Sequence, residues 1–318
     1  MRHLLQRLLA PLVASLLVLL GIASLPARAA PLEVVTSFSI LGDFIRQVGG
    51  DRVKVTTLVA ADQDAHNFQP RPSDARRIGA AQLVVVGGLG FDPWLERLTQ
   101  TAGYKGPLLV ASQGVEPIPA DDGHDDAHGH GKGSHQDAVD PHAWQDVVRA
   151  LRYVANIADA LAQADPTNAK VYRDNAARYA AELKTLDRDI RTAVSAVPAE
   201  RRRVVSAHDA FGYFAHAYGV RFLAPAGVSN QSEPSAAGVA QLIRQLRREN
   251  VPAVFVESVS DPRLIERIRK ESGARLGGTL YSDALSGPDG PAPTYVAMMR
   301  HNLRTLLDGM TPRDDRTR

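Results

Sequence analysis

The chain of 318 residues has no cysteine. This excludes disulfide stapling and a cysteine nucleophile, and it leaves no residue to carry a lipid anchor. Stability must come from an apolar core, which this length permits. Charge of either sign is not in excess: the formal net charge is +2, so no nucleic-acid partner is expected. After residue 25 no apolar run is long enough to cross a membrane. Neither HExxH nor GxSxG occurs, which argues against an exported zinc or serine hydrolase. A zinc hydrolase would also need an open coordination position beside a general base.

The first residues differ from the rest. Arg2 and Arg7 precede an apolar run from Leu8 to Leu25, which closes on Ala27-Arg28-Ala29. That is the layout of a secretory signal peptide over 1–29, with cleavage expected near Ala29/Ala30. Its loss removes three arginines and no acids, leaving 34 basic and 35 acidic residues and a net charge of −1. A soluble periplasmic protein without a lipid anchor is the expectation.

Residues 32–120 alternate short apolar, β-branched runs (LEVVTSF, VKVTTLV, QLVVVGG, LLVAS) with helical patterns at Ile40–Val48, Ser73–Ala80 and Pro93–Ala102. Ser73 is the expected N-cap of the second. The texture returns after residue 200 in RRVVSA, RFLAPAG, AVFVES and ARLGGTLY, with helices over 210–218, 235–250, 262–272 and 293–308. Strands alternating with helices imply a mostly parallel sheet covered on both faces. Between the halves, Asp165-Pro166 resembles an N-cap and first helical residue, and no Gly or Pro interrupts the chain to Val197. Val171, Ala177, Leu183, Leu186, Ile190 and Val194 recur at near-helical spacing. Such a helix would extend about 45 Å as a stiff strut, beside an earlier helix over about 144–164. The expected fold class is α/β: two lobes, each with a mostly parallel sheet flanked by helices, joined by one long rigid helix. The division is signal peptide 1–29, N-terminal lobe 30–164, linking helix 165–198 and C-terminal lobe 199–318.

Five of the ten histidines fall within 121–146. Four of them, His124, His128, His130 and His135, lie in a Gly-, Asp- and His-rich tract at 121–139 with no apolar face, the composition of a mobile loop. His66, His142 and His208 stand instead at strand exits or helix starts, where open α/β sheets place ligand sites. A metal site needs neutral imidazoles, usually a carboxylate, and acceptors that fix each imidazole tautomer. Asp283 follows a strand in GGTLYSDAL and offers the carboxylate; Asp140 and Asp209 adjoin candidate ligands. Trp144, Phe211 and Tyr213 read as core residues that position them, Glu233 and Glu257 as capping or surface groups with the cleft also within reach, and His216 and His301 as structural or surface residues.

DAHNFQPRPSD, DPHAW, SAHDAFGYFAHAYGV and TLYSDALS occur in this order. Together they resemble the periplasmic metal-binding proteins of ABC importers, the cluster that carries zinc or manganese, over essentially all of residues 31–310. The resemblance implies metal held between two α/β lobes by His66 and His142 from the first and His208 and Asp283 from the second. Manganese members commonly have glutamate where His208 stands, and more nitrogen favours zinc. Some zinc members place a glutamate before the first histidine; here that residue is Ala65. An acidic, histidine-rich loop before the second ligand is typical of zinc members and would be an auxiliary weak metal site. The expectation is therefore a monomeric, non-enzymatic carrier of Zn2+ that delivers to an ABC permease, with a periplasmic metallochaperone as a candidate supplier. The alternative is a manganese or iron carrier of the same class.

Overall fold

Four short, mostly β-branched runs make the first sheet, buried in the central strands β1 (Leu32–Thr36) and β3 (Leu83–Val86) and more exposed in the edge strands β2 (Val53–Thr57) and β4 (Leu108–Val110). All pairings are parallel and the order is β2-β1-β3-β4. The second sheet repeats this arrangement with β5 (Arg203–Val205), β6 (Arg221–Leu223), β7 (Ala253–Glu257) and β8 (Arg275–Leu280), again all parallel, in the order β6-β5-β7-β8. In each, the chain leaves the first strand to one side and returns on the other, which opens a crevice at the carboxyl ends of the central strands. The computed structural model describes residues 30–120, 139–229 and 234–311. The leader at 1–29, the loop histidines His124, His128, His130 and His135, and Glu233 lie outside the described residues. No helix among the described residues is long and apolar enough to cross a membrane.

Helices α1 (Ser39–Gly49), α2 (Pro72–Gly79) and α3 (Pro93–Thr101) connect the strands of the first lobe. Ser73 is not the cap of α2. The N-cap is Arg71, Pro72 takes the first turn, and the Asp74 carboxylate reaches back to accept the Arg71 amide at 2.8 Å. Proline's missing N–H is harmless there, which moves the start upstream of the serine.

Two helices run between the lobes, α4 (Val147–Ala164) and α5 (Ala169–Ser195). At 27 residues α5 is about 40 Å long. Its buried stripe is Tyr172, Tyr179, Leu183, Leu186, Ile190 and Val194. The two tyrosines replace the expected Val171 and Ala177 in its first half. They share the helix phase of the leucines, and their large rings take the inner face while Ala177 is exposed. The second lobe adds α6 (Gly212–Tyr218), α7 (Ala236–Glu249), α8 (Pro262–Ser272) and α9 (Tyr295–Met310).

One apolar core runs from the first sheet through α1, α4, α5 and α9 to the inner face of the second sheet, with the rings of Tyr153, Tyr179 and Tyr295 each packed against Phe44. A separate, smaller core lies under α7 and α8 on the outer face of the second sheet. Because the larger core is shared, wide hinging would expose packed aromatics, each contributing about 1.5–3 kcal/mol by burial.

Candidate metal centre

Each of the four candidate side chains leaves the carboxyl end of a strand or the loop that follows it. After β2, the Asp64 carboxylate accepts the His66 amide at 2.8 Å and the Asn67 side chain at 2.6 Å, forming a local turn that aims the His66 ring inward. Ala65 is fully buried and its carbonyl accepts the Trp94 indole at 3.0 Å. Its single methyl offers no ligand atom.

His142 follows the bridge between Pro119 and Val139. The buried Asp140 carboxylate accepts both the His142 amide, at 2.9 Å, and the ring Nδ1, at 2.8 Å. Gly212, at the start of α6, sits so close to Asp140 that any Cβ would collide with a carboxylate oxygen.

His208 follows β5. Its acceptor is not Asp209 but Glu257, at the end of β7. Glu257 Oε1 accepts the amides of Ala207 at 2.6 Å and His208 at 3.0 Å, and Oε2 lies 2.7 Å from His208 Nδ1. Of the two roles the sequence leaves Glu257, a capping or surface group or one that reaches the cleft, the second holds: it is 1% exposed and lies against His208. The available signal was its position at the carboxyl end of a strand that pairs with β5 in the same sheet.

Asp283 follows β8, and its neighbour Ser282 is fixed by two donors. The Ser282 carbonyl accepts Trp144 Nε1 at 3.0 Å and Gln145 Nε2 at 2.8 Å. Further along, Leu285 N donates to Ser39 Oγ at 2.8 Å, Asp62 N to the Leu285 carbonyl at 2.9 Å and Tyr295 N to Asp43 at 2.9 Å. On the other side, Tyr281 donates its amide to Asn302 Oδ1 of α9 at 2.9 Å and its carbonyl accepts Asn302 Nδ2 at 2.7 Å, so hydrogen bonds from both lobes flank Asp283.

The three imidazole Nε2 atoms converge on Asp283: His66 at 3.5 Å, His142 at 3.4 Å and His208 at 3.2 Å. One candidate donor atom from each of the four lies within 4.8 Å of every other. Donors at the corners of a tetrahedron with bonds of about 2.0–2.1 Å stand about 3.3 Å apart, the size of the three nitrogen-to-carboxylate distances. His142 Nε2, His208 Nε2 and both Asp283 oxygens are buried and make no hydrogen bond of normal geometry. Buried polar atoms in that condition are costly unless something else satisfies them.

Burial alone would lower the His208 pKa, but Glu257 and Asp283 outweigh it and hold the ring well above the usual imidazole value. Burial alone would raise Asp283, yet the charges of His208 and His142 hold it well below the usual carboxylate value. Both shifts run in the direction of a charged His208 ring facing an ionised Asp283.

The surroundings are apolar. Phe91 packs edge-on against His66, with centroids 4.6 Å apart, and also faces His142 and Trp144. A buried carboxylate, Asp92, fixes the Phe91 turn by accepting the Ser37 hydroxyl and the amides of Gly87 and Gly88. Gly88 has φ +83° and leaves no room for a side chain against Ser112. His66 is the ring nearest solvent, bordering a surface groove with Asn67, Gln69, Arg97 and Ser229. Phe211 and Tyr213 are buried in the core, His216 is exposed, and His301 Nε2 pairs with the Thr279 carbonyl at 3.0 Å.

Residues 34–309 match the family described as ZnuA, zinc-uptake complex component A, periplasmic. The manganese-binding lipoprotein MntA of Halalkalibacterium halodurans is 31% identical over 280 residues, covering 88% of this chain and 89% of the relative. The iron-binding protein YfeA of Yersinia pestis is 33% identical over 279 residues, 87% of this chain and 86% of the relative. Among solved structures, the periplasmic zinc-binding protein TroA of Treponema pallidum superposes with a TM-score of 0.80 at 26% identity, over 89% of this chain and 100% of that one. The chain belongs to the ZnuA family: it is a metal-binding, solute-binding component of an ABC importer and not an enzyme.

Proposed function

We propose that the chain captures Zn2+ with His66, His142, His208 and Asp283 and delivers it to an ABC permease. The observation that carries this reading is the convergence of three imidazole Nε2 atoms to within 3.5 Å of one buried carboxylate. Three nitrogens and one oxygen suit zinc better than manganese, which prefers hard oxygen donors. Four protein ligands also saturate zinc, as storage or transport requires and catalysis does not.

The working division is a signal peptide at 1–29, lobes at 30–164 and 199–318, and a linking helix at 165–198. The protein acts in the periplasm as a monomer. With no cysteine in 318 residues, it diffuses without a lipid anchor, unlike relatives named as lipoproteins. The tract containing His124, His128, His130 and His135 serves as an auxiliary weak metal loop, and a metallochaperone is a second partner.

A manganese or iron cargo is the alternative, favoured by the names of MntA and YfeA. Equal concentrations of Zn2+, Mn2+ and Fe2+ offered anaerobically to the demetallated protein, read by native mass spectrometry, decide between them. One retained zinc supports the reading; retained manganese or iron replaces it.

A further inference from the structure

We propose that Glu257 is the positioning residue that makes His208 a metal ligand and tilts the site toward zinc. This rests on the zinc reading above for its selectivity part and on geometry alone for its positioning part.

The first observation is the 2.7 Å separation between Glu257 Oε2 and His208 Nδ1, in a place where both side chains are 0% exposed. Two acceptors do not approach so closely in a buried site, so a proton lies between them, although the contact departs from in-line geometry. A proton on Nδ1 leaves the lone pair of the neutral ring on Nε2. That nitrogen is the one facing Asp283 at 3.2 Å.

The second observation is the other half of the same carboxylate. Oε1 accepts two successive amides, Ala207 and His208, and Ser206 Oγ closes the corner by donating to the His208 carbonyl at 3.0 Å. One side chain therefore sets the backbone of the β5 exit, the ring orientation and the tautomer together. His142 has the parallel device in Asp140. His208 differs in that its supports come from the second lobe, through Glu257 at the end of β7 and the bridge to Ala226. Glu257 gives this ligand its fixed position.

A carboxylate behind an imidazole makes the metal-facing nitrogen a stronger donor. The gain is larger for zinc, which takes nitrogen readily, than for manganese, which favours oxygen. Glutamine is nearly isosteric but presents one acceptor and one donor group. It cannot accept both from the two amides and from Nδ1–H. One orientation loses the amides, and the other reverses the ring tautomer and turns an N–H toward the metal.

The test uses the full mature protein loaded with zinc and compares wild type, Glu257→Gln, Glu257→Asp and the surface control Glu266→Gln. Long-range 1H–15N spectra of the His208 ring are expected to show a protonated Nδ1 and a metal-bound Nε2 in wild type. The reverse tautomer in wild type overturns the proposal without any variant. Chelator competition is expected to give zinc binding 10–100-fold weaker in Glu257→Gln, with a smaller loss for manganese and an unchanged control. Glu257→Asp keeps the charge and should fall between. It also provides the comparison if the glutamine variant does not fold. Unchanged zinc affinity in a folded Glu257→Gln overturns the proposal. If wild type binds manganese in preference, the zinc reading fails, while the tautomer spectrum still judges the positioning role.

Discussion

The indole Nε1 of Trp144 donates to the backbone carbonyl of Ser282 at 3.0 Å, joining residues 138 positions apart. The loop that carries Asp283 is thereby tied to the segment that carries His142, while Tyr281 stays paired with Asn302 of the second lobe. Replacing Trp144 by Phe keeps most of the ring packing and removes this donor, while Gln145 still serves the carbonyl. The expected cost is about 1 kcal/mol of stability, with a zinc affinity several-fold weaker. Chemical denaturation and chelator competition measure the two effects.

The convergence of the three rings on Asp283 ranks the ligand deletions. His208→Ala leaves His66, His142 and Asp283 in place with room for water as the fourth ligand, so weak zinc binding should persist. Asp283→Ala removes the only charged ligand and the point on which the three rings converge. Its zinc affinity should be the lower of the two. Equal losses, or the opposite order in calorimetric titrations, would contradict the arrangement.

Proton competition should set in early. His208 holds its proton well above the ordinary imidazole value of 6.5 in the metal-free protein, so metal must displace that proton even near neutrality. Apparent zinc affinity is expected to fall about tenfold per pH unit for each proton displaced, beginning above pH 6.5. Asp283, held well below 3.8, stays ionised throughout that range. An affinity that is flat between pH 8 and about 6 would contradict this.

The same shifts act on the metal-free fold with opposite sense. A raised His208 contributes stability that is complete below its unfolded value of 6.5 and is lost as pH rises through its elevated folded value. Asp283 contributes above its unfolded value of 3.8 and loses that contribution as pH falls through its depressed folded value. In chelator, the melting temperature should therefore drop on the alkaline side of neutrality. Zinc should abolish the dependence, since it replaces the proton.

Gly212 tests the support of His142. A Cβ there would collide with Asp140, whose carboxylate orients the His142 ring at 2.8 Å. Gly212→Ala is expected to weaken zinc binding by about tenfold with little change in helix content by circular dichroism.

Much of this architecture is legible in the sequence, because runs such as LEVVT and LVVV read as buried parallel strands, and histidines at strand exits stand out against the texture. What local pattern does not reveal is which distant group serves which ligand. Asp209 adjoins His208 in sequence, yet Glu257 is the partner, because a parallel neighbour strand brings a residue 49 positions away to the ring. Asp283 shows the same limit. Its chain position assigns it to the second lobe, while part of its support comes from Trp144 and Gln145, residues that sequence spacing connects to nothing. The stripe of α5 was misread for a simpler reason: Val171 and Ala177 fit the apolar count, but Tyr172 and Tyr179 bring the larger surface to the core.

The central claim is a closed site of three imidazoles and one carboxylate around zinc. Zinc K-edge X-ray absorption on the singly loaded mature protein tests it most directly. The expected result is a first shell of four N/O donors at about 2.0–2.1 Å, with outer-shell scattering from three imidazoles that drops to two in His208→Ala. A first shell of five or six donors, or an imidazole count unchanged by His208→Ala, would contradict it.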